Sequence, residues 1–394
     1  MSNHPYFITW TKQVGAKKLE VSSSKGSFYI RNNGQKIHDL CSTSYHAAFG
    51  HSFTPITKAI TSQLKTLPMA SPKCTFELKK RVSEKLIELI GQKGKIFYTV
   101  SGAESIENAL KAARQISGKK IVLSRNISYH GATLGALSVT GDWRNKDHAT
   151  VDSWTRRIPE PSVDPKAEKL EALIQKVGPE KIAAICLETI TGGNGVIIPP
   201  MSWWRAISRI KKKYGLFLIL DEVVCGFGRT GKNFGLQHFN LKPDFICLAK
   251  VITGGYIPFG AVWFSSKVAK YYDRNTLSAG LTNYAHPLGL AAMEVVMDYL
   301  STNEHKENFS KLEKILSSYS DIFNEMSKVS ESRQLGLLMA IELKSPIGIE
   351  IFLKNNLFVA SVGNNIVLAP AYITKPNDLK KSLKLIKKII EENS

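Results

Sequence analysis

Two residues, each at the end of an apolar run, carry chemistry that neither could perform alone. The run Leu216 to Leu220 ends in Asp221-Glu222-Val223, and the run Phe245 to Ala249 ends in Lys250. A neutral lysine amine condenses with an aldehyde, and a carboxylate set against a pyridine nitrogen keeps that ring protonated and able to accept electrons. An amine and a carboxylate at the mouths of two strands are therefore what pyridoxal 5'-phosphate chemistry requires. A lysine in that position is by itself usually solvated, so its pairing with Asp221 and the segments around the two must give it that role.

Those segments supply the remaining parts in order. Lys95 to Val100 reads as a strand running into Ser101-Gly102-Ala103-Glu104, where a helix opens with free backbone amides suited to a phosphate. Tyr129-His130-Gly131 follows the next strand. There an aromatic ring can lie on a flat cofactor, or the Tyr-His pair can simply be structural. Glu188 ends the run Ile182 to Leu187 before Thr191-Gly-Gly-Asn-Gly195, and can either orient groups beside the ring or bind turn amides. Val223 offers an apolar surface for the ring face opposite Tyr129. Gly226-Phe-Gly-Arg229-Thr-Gly231 has the glycines of a phosphate loop without its flanking strand and helix, and is not read as one. Five cysteines show neither paired nor metal-ligand spacing; they read as small buried hydrophobes, Cys225 lying near the Asp221 segment, and no metal is expected.

Positioning these groups takes alternating strands and helices. Strands are expected at Lys95 to Val100, Lys120 to Leu123, Ile182 to Leu187, Leu216 to Leu220, Phe245 to Leu248 and Gly260 to Phe264, with helices at Ala103 to Gln115 and Trp203 to Tyr214. The fold class is α/β, with a mostly parallel sheet flanked by helices and ligands beyond the strands' carboxyl ends. Residues 49–284 are expected to form the large domain. Residues 1–48 and 285–394 together form a smaller α+β lobe, with a hairpin turning at Asn33-Gly34, helices over 285–328, strands near Leu337 to Leu343, Leu357 to Ala360 and Ile366 to Leu368, and a last helix from Asn377. The 394 residues carry a net charge of +20, but the basic residues are dispersed or lie on solvated helical faces, as at Lys211-Lys212-Lys213 and Lys380 to Lys388. Nucleic acid is not an expected partner; attraction of anionic small substrates is one use of the charge and solubility another. No apolar run reaches the roughly 20 residues of a membrane span. The start, Met1 to Trp10, has no leader pattern, and the expected compartment is the cytoplasm.

The segments SGAESIENALKAAR, SYHGATLGALSVTGD, LETITGGNGVIIPP, LDEVVCGFGRTG, AKVITGGYIPFGAV and LTNYAHPLGLAA resemble those of the class III (omega) aminotransferases, pyridoxal-phosphate enzymes of fold type I. The likeness runs over nearly the whole chain and is strongest to the branch that uses taurine and other omega-amino acids. It implies a Schiff base on Lys250, Asp221 at the pyridine nitrogen, Tyr129 and Val223 on the two ring faces, and Gly102 and Ala103 at the phosphate. Thr282 matches the residue that reaches the phosphate from a neighbouring subunit, which implies a homodimer with shared active sites. The implied reaction is a two-stage exchange between an amine donor and a 2-oxo acid. The chain departs from the pattern at Val367, where many relatives carry a carboxylate-binding arginine. Arg144, Arg229 and Arg333 are candidates to replace it, the last two being equally suited to structural roles. Trp10 and Tyr45 match the pocket-lining region and can shape the amine side or pack the lobe. Leu368-Ala-Pro-Ala-Tyr-Ile373 is similar to the 8-amino-7-oxononanoate aminotransferases, although the arginine they carry near Ala360 is absent. Aminomutase or decarboxylase chemistry on the same fold, and a non-enzymatic binding role, stand as alternatives.

Overall fold

Seven short strands form the central sheet of the computed structural model, which describes residues 5–16 and 18–393, the side chains of 149–152 excepted. The first four residues, part of the stretch read for a leader, lie outside it. In spatial order the strands are Gly94–Thr99, Gly260–Ser265, Phe245–Leu248, Phe217–Asp221, Ile182–Glu188, Ile121–Arg125 and Thr155–Ile158. Gly260–Ser265 runs antiparallel to both its neighbours, and the remaining pairings are parallel. Parallel strands covered on both faces lose the alternation of an exposed sheet. Every residue of Ile182–Glu188 is accordingly buried, which is why such strands were legible as unbroken apolar runs.

The flanking helices show the matching periodicity. Gly102–Ser117 buries Ile106, Ala109, Leu110 and Ala113 along one stripe and ends at Gly118, whose φ of +69° only glycine adopts freely. Met201–Tyr214 buries Trp203, Trp204, Ile207 and Ile210 and places Lys211, Lys212 and Lys213 in its last turn, where cations complement the helix dipole. Two of them are paired: Lys211 reaches Asp244 over 2.8 Å and Lys213 reaches Glu171 over 2.7 Å. This part of the positive charge is thus a helix terminus.

Segments from both ends of the chain meet. The hairpin turning at Asn33-Gly34 pairs Phe28–Ile30 with Lys36–Asp39, and Leu357–Phe358 joins Lys36–Asp39 in parallel. A third sheet orders Val329–Leu335, Leu338–Leu343, Asn365–Leu368 and Ala360–Val362. Helices Thr54–Thr66 and Glu77–Ile90, which the sequence did not announce, pack against Pro287–Ser301. Among the described residues no helix is long and apolar enough to cross a membrane.

Candidate active site

Parallel register brings the chemistry to one edge. Glu188 stands opposite Asp221, and Asp221 opposite Cys247, at the carboxyl ends of three adjacent strands, with Lys250 three residues further along. Asp221 is 4% exposed. Its Oδ1 accepts the Val223 amide over 3.0 Å, and its Oδ2 lies 2.7 Å from His130 Nδ1, which donates because a carboxylate can only accept. His130 Nε2 is buried with no partner among the described residues.

Glu188 accepts backbone amides from two segments. Its Oε2 accepts the Gly192 amide over 2.8 Å, fixing the turn, and its Oε1 accepts the Tyr129 amide over 3.1 Å, fixing the aromatic residue. Burial pushes its carboxyl above the usual range, an effect that His130 opposes and Asp221 reinforces. Lys250 begins a short helical turn with φ +53°, and its Nζ lies 5.3 Å over the Tyr45 ring. Burial pushes its amine below the ordinary lysine value, while the Asp221 and Glu188 carboxylates pull the other way. A lysine held towards its neutral form is a nucleophile and a base.

The helix mouth is shaped for an anion. Ser101 Oγ accepts the Glu104 amide over 3.2 Å, Ser101 O accepts the Ser105 amide over 3.1 Å, and Glu104 Oε2 accepts the Val100 amide over 2.9 Å. The first-turn amides of Gly102 and Ala103 have no place in this arrangement, as is usual for the first turn of a helix. A Cβ on Gly102 would come within 3.0 Å of Val223, and one on Gly131 within 2.7 Å of Ala103, so both glycines permit a close approach that a side chain would block.

An aromatic cluster closes another side. The Arg144 guanidinium lies 4.6 Å over Tyr129, 4.9 Å over Trp143 and 5.3 Å over Trp10. Asp142 holds it through its backbone amide over 3.0 Å and through an ion pair, and in turn accepts Asn194 Nδ2 over 3.1 Å. Arg144 Nε is buried without a partner among the described residues. The other two arginine candidates are bound within the protein. Arg229 is fully buried and donates to the Pro370 carbonyl over 2.7 Å; Arg333 donates to the Gly195 carbonyl over 2.9 Å and to Asn365 over 3.0 Å. Val367 is buried in the third sheet, in an apolar group with Tyr45, Ile190 and Val196. Cys225 is packed, its thiol donating to the Ile190 carbonyl over 3.0 Å. Thr282 is exposed, and among the described residues none of the cluster's hydrogen bonds or ring contacts involves it.

Sequence reasoning missed three features of the site. Asp142 and Trp143 precede Arg144 and hold it, but nothing in their types announced this. Glu222 lies between two assigned residues yet works elsewhere: it accepts Thr189 Oγ1, the Gly235 amide and the Leu236 amide, and burial pushes its carboxyl up to about 7. Tyr45 arrives on a left-handed turn, Ser42 to Tyr45, with φ of +45°, +48°, +62° and +76°. Each such residue costs roughly 1–2 kcal/mol when it carries a side chain, and the absence of glycine there hid the turn.

The family model "Aminotransferase class-III" matches residues 10–390. Among curated relatives, gamma aminobutyrate transaminase 1, mitochondrial, of Solanum lycopersicum is 30% identical over 98% of this chain and 84% of its own length. Vanillin aminotransferase of Capsicum chinense is 28% identical over 98% of this chain and 94% of its own. Among solved structures, a taurine:2-oxoglutarate aminotransferase from Bifidobacterium kashiwanohense, determined with pyridoxal phosphate and glutamate, superposes with a TM-score of 0.91 at 28% identity, covering 98% of this chain and 96% of that one. An amine transaminase from an uncultivated Pseudomonas species superposes at 0.89 with 25% identity, covering 99% and 98%. With a family match across almost the whole chain and the fold of pyridoxal-phosphate transaminases of fold type I, this chain belongs to the class-III aminotransferases, enzymes that use pyridoxal phosphate to move an amino group from an amine donor to a 2-oxo acid.

Proposed function

We propose that the donor is an omega-amino acid or related amine bearing a distal anionic group, and that Arg144 reads that group. The observation that carries this is the Arg144 guanidinium, stacked 4.6 Å over Tyr129 with an unpartnered buried Nε–H and close enough to Lys250 to influence its amine. Arg229 also has a buried Nε without a partner among the described residues, but its terminal nitrogens are committed to the Pro370 and Leu337 carbonyls and to Ser42. Relatives named for gamma-aminobutyrate and taurine, both omega-amino acids with an anionic end, support the same class.

The residues present fit the cofactor. In this reading Gly102 and Ala103 amides, with Ser101, hold the phosphate; Tyr129 and Val223 face the ring; Asp221, oriented by His130, meets the pyridine nitrogen; and Glu188 keeps Tyr129 in place. When bound, pyridoxal phosphate supplies a carbonyl for amine exchange and a ring that takes up the electrons released at the substrate carbon. Lys250 supplies the attaching amine and, once the donor has displaced it, holds and moves the proton at Nζ. Buried Tyr45 and the half-exposed Trp10 and Trp143 line the pocket in this reading.

Replacement of Arg144 tests the donor class. For Arg144→Met, KM for an anionic donor such as 4-aminobutyrate should rise by roughly 10- to 100-fold, the range expected for a lost charge-assisted contact. KM for a neutral alkylamine should stay within about twofold. Equal effects on both donors would sink the reading. Product without net amino exchange would indicate aminomutase chemistry, carbon dioxide release would indicate decarboxylase chemistry, and discharge by S-adenosylmethionine alone would favour the 8-amino-7-oxononanoate reaction.

Lys250 also makes stability depend on pH. Its lowered amine pKa means that the fold binds fewer protons than the unfolded chain between that value and the ordinary lysine value near 10.4. The stability contribution of this residue therefore rises with pH across that window. In cofactor-free protein, Lys250→Met should melt higher than wild type at neutral pH, and its advantage should shrink towards alkaline pH. A gap that did not change with pH would contradict the assignment.

The same reading makes the enzyme a cytoplasmic homodimer built from a large domain, 49–284, and a lobe of 1–48 with 285–394. Exposed Thr282 is available to a second copy, and five unpaired cysteines suit a reducing compartment. Sedimentation equilibrium giving a single-chain mass would remove the shared site. First proteolytic cuts inside 49–284 would argue against the division, and recovery in an exported fraction against the compartment.

A further inference from the structure

We infer that Asp39 is a positioning residue for the amine donor: its carboxylate latches the left-handed turn Ser42 to Tyr45 and so sets the Tyr45 ring beneath Lys250 Nζ. This rests on Tyr45 forming part of the donor pocket. Asp39 ends the strand Lys36–Asp39 and is 2% exposed. Its Oδ1 accepts the Cys41 amide over 3.2 Å and the Thr43 amide over 3.1 Å; its Oδ2 accepts Thr43 Oγ1 over 2.9 Å and meets His51 Nε2 at 3.2 Å. Both oxygens are thus spent on the turn and on the histidine behind it. Burial alone would raise this carboxyl, yet His51 and Thr43 hold it below its ordinary value, the behaviour of a carboxylate gripped by donors.

The turn needs such a grip. Four consecutive residues with side chains occupy the left-handed region, where none is at ease. Within the turn the Tyr45 amide reaches the Cys41 carbonyl over 2.7 Å, and Thr43 Oγ1 also meets Tyr29 Oη at 2.5 Å. Ser42 Oγ donates to the Ala369 carbonyl over 2.5 Å, joining the turn to the segment that follows Val367. The product is the position of one side chain. Tyr45 is buried against Ile190, Val196, Val224 and Val367, its ring lies beneath Lys250 Nζ, and its hydroxyl would stand 3.3 Å from a Cβ on Gly193. A turn relaxed to right-handed or extended backbone would carry Tyr45 off this wall while leaving Lys250 and Asp221 where they are.

Asp39 touches no reacting atom, so its effect must pass through Tyr45, and a double-mutant cycle reads that directly. Asp39→Asn in the holoenzyme should raise donor KM by roughly tenfold with kcat within about twofold, and the calorimetric dissociation constant of pentanoate, an unreactive carboxylate, should rise in parallel. In a Tyr45→Ala background the same substitution should add nothing to either. Thr43→Val should show part of the effect and Thr43→Ser little of it; this pair carries the test should Asp39→Asn not fold. Equal effects of Asp39→Asn in the wild-type and Tyr45→Ala backgrounds would overturn the latch and leave Asp39 a residue of the fold. If Tyr45→Ala alone left donor KM and pentanoate binding unchanged, the pocket assignment would fall, and the latch with it.

Discussion

Lys250→Ala should lower the rate of amine exchange by about 10⁴-fold, the upper range for loss of a positioned proton-transfer group. Lys250 is the amine at the mouth of its strand, its burial favours the neutral form, and Asp221 and Glu188 stand at the adjacent strand ends. Alanine removes both functions proposed for the amine, attachment and proton transfer, and leaves the amides of Gly102 and Ala103 proposed for the phosphate and the Asp221 carboxylate in place. The variant should therefore still take up one equivalent of pyridoxal phosphate by equilibrium dialysis while failing to turn over in stopped-flow mixing with a donor. A single-turnover rate within tenfold of wild type would show that the proton is moved by another group, such as His130 at the Asp221 carboxylate.

The parts of this site that were legible in the sequence share a physical cause. A parallel strand covered on both faces must be apolar throughout, so the first ionisable residue after the run marks the strand mouth, as Asp221, Glu188 and Lys250 do. Ser101 was readable for a related reason, since a side-chain cap next to glycine is a local signal. What stayed hidden depends on backbone or surface features that residue type does not encode. The left-handed turn at Ser42 to Tyr45 contains no glycine, so its handedness comes from Asp39 and from contacts hundreds of residues away. The edge strand Thr155–Ile158 reads as polar because Arg156 and Arg157 occupy half of it, Arg157 donating to the carbonyls of Ser138, Val139 and Thr140. Helix Thr54–Thr66 buries only Ile56 fully, too narrow a stripe for periodicity to show. The three arginines could not be ranked from sequence because their types are identical; only their partners separate Arg144, over Tyr129, Trp143 and Trp10, from Arg229, bound to the Pro370 and Leu337 carbonyls, and from Arg333, paired with Glu331 and Glu342.

Asp221→Asn should slow the first half-reaction by roughly 10²- to 10³-fold, the loss that accompanies removal of one preorganised charge or donor at a reacting centre. Asparagine keeps the volume and can still accept the Val223 amide through Oδ1, so the strand mouth is preserved. The other carboxamide atom is an NH₂ group and presents a donor to His130 Nδ1, which now donates to the carboxylate. To accept instead, His130 must carry its proton on Nε2, an atom buried without a partner among the described residues. That rearrangement costs about 1–3 kcal/mol for the unsatisfied donor and should appear as a lowered melting temperature as well as a slower reaction. His130→Phe in the Asp221→Asn background separates the two effects. Removing the histidine should restore part of the stability, since the donor conflict is gone, and none of the rate, since the charge opposite the pyridine nitrogen is still missing. Recovery of the rate in that double variant would show that the defect of Asp221→Asn came from the donor conflict with His130 and not from the lost carboxylate charge.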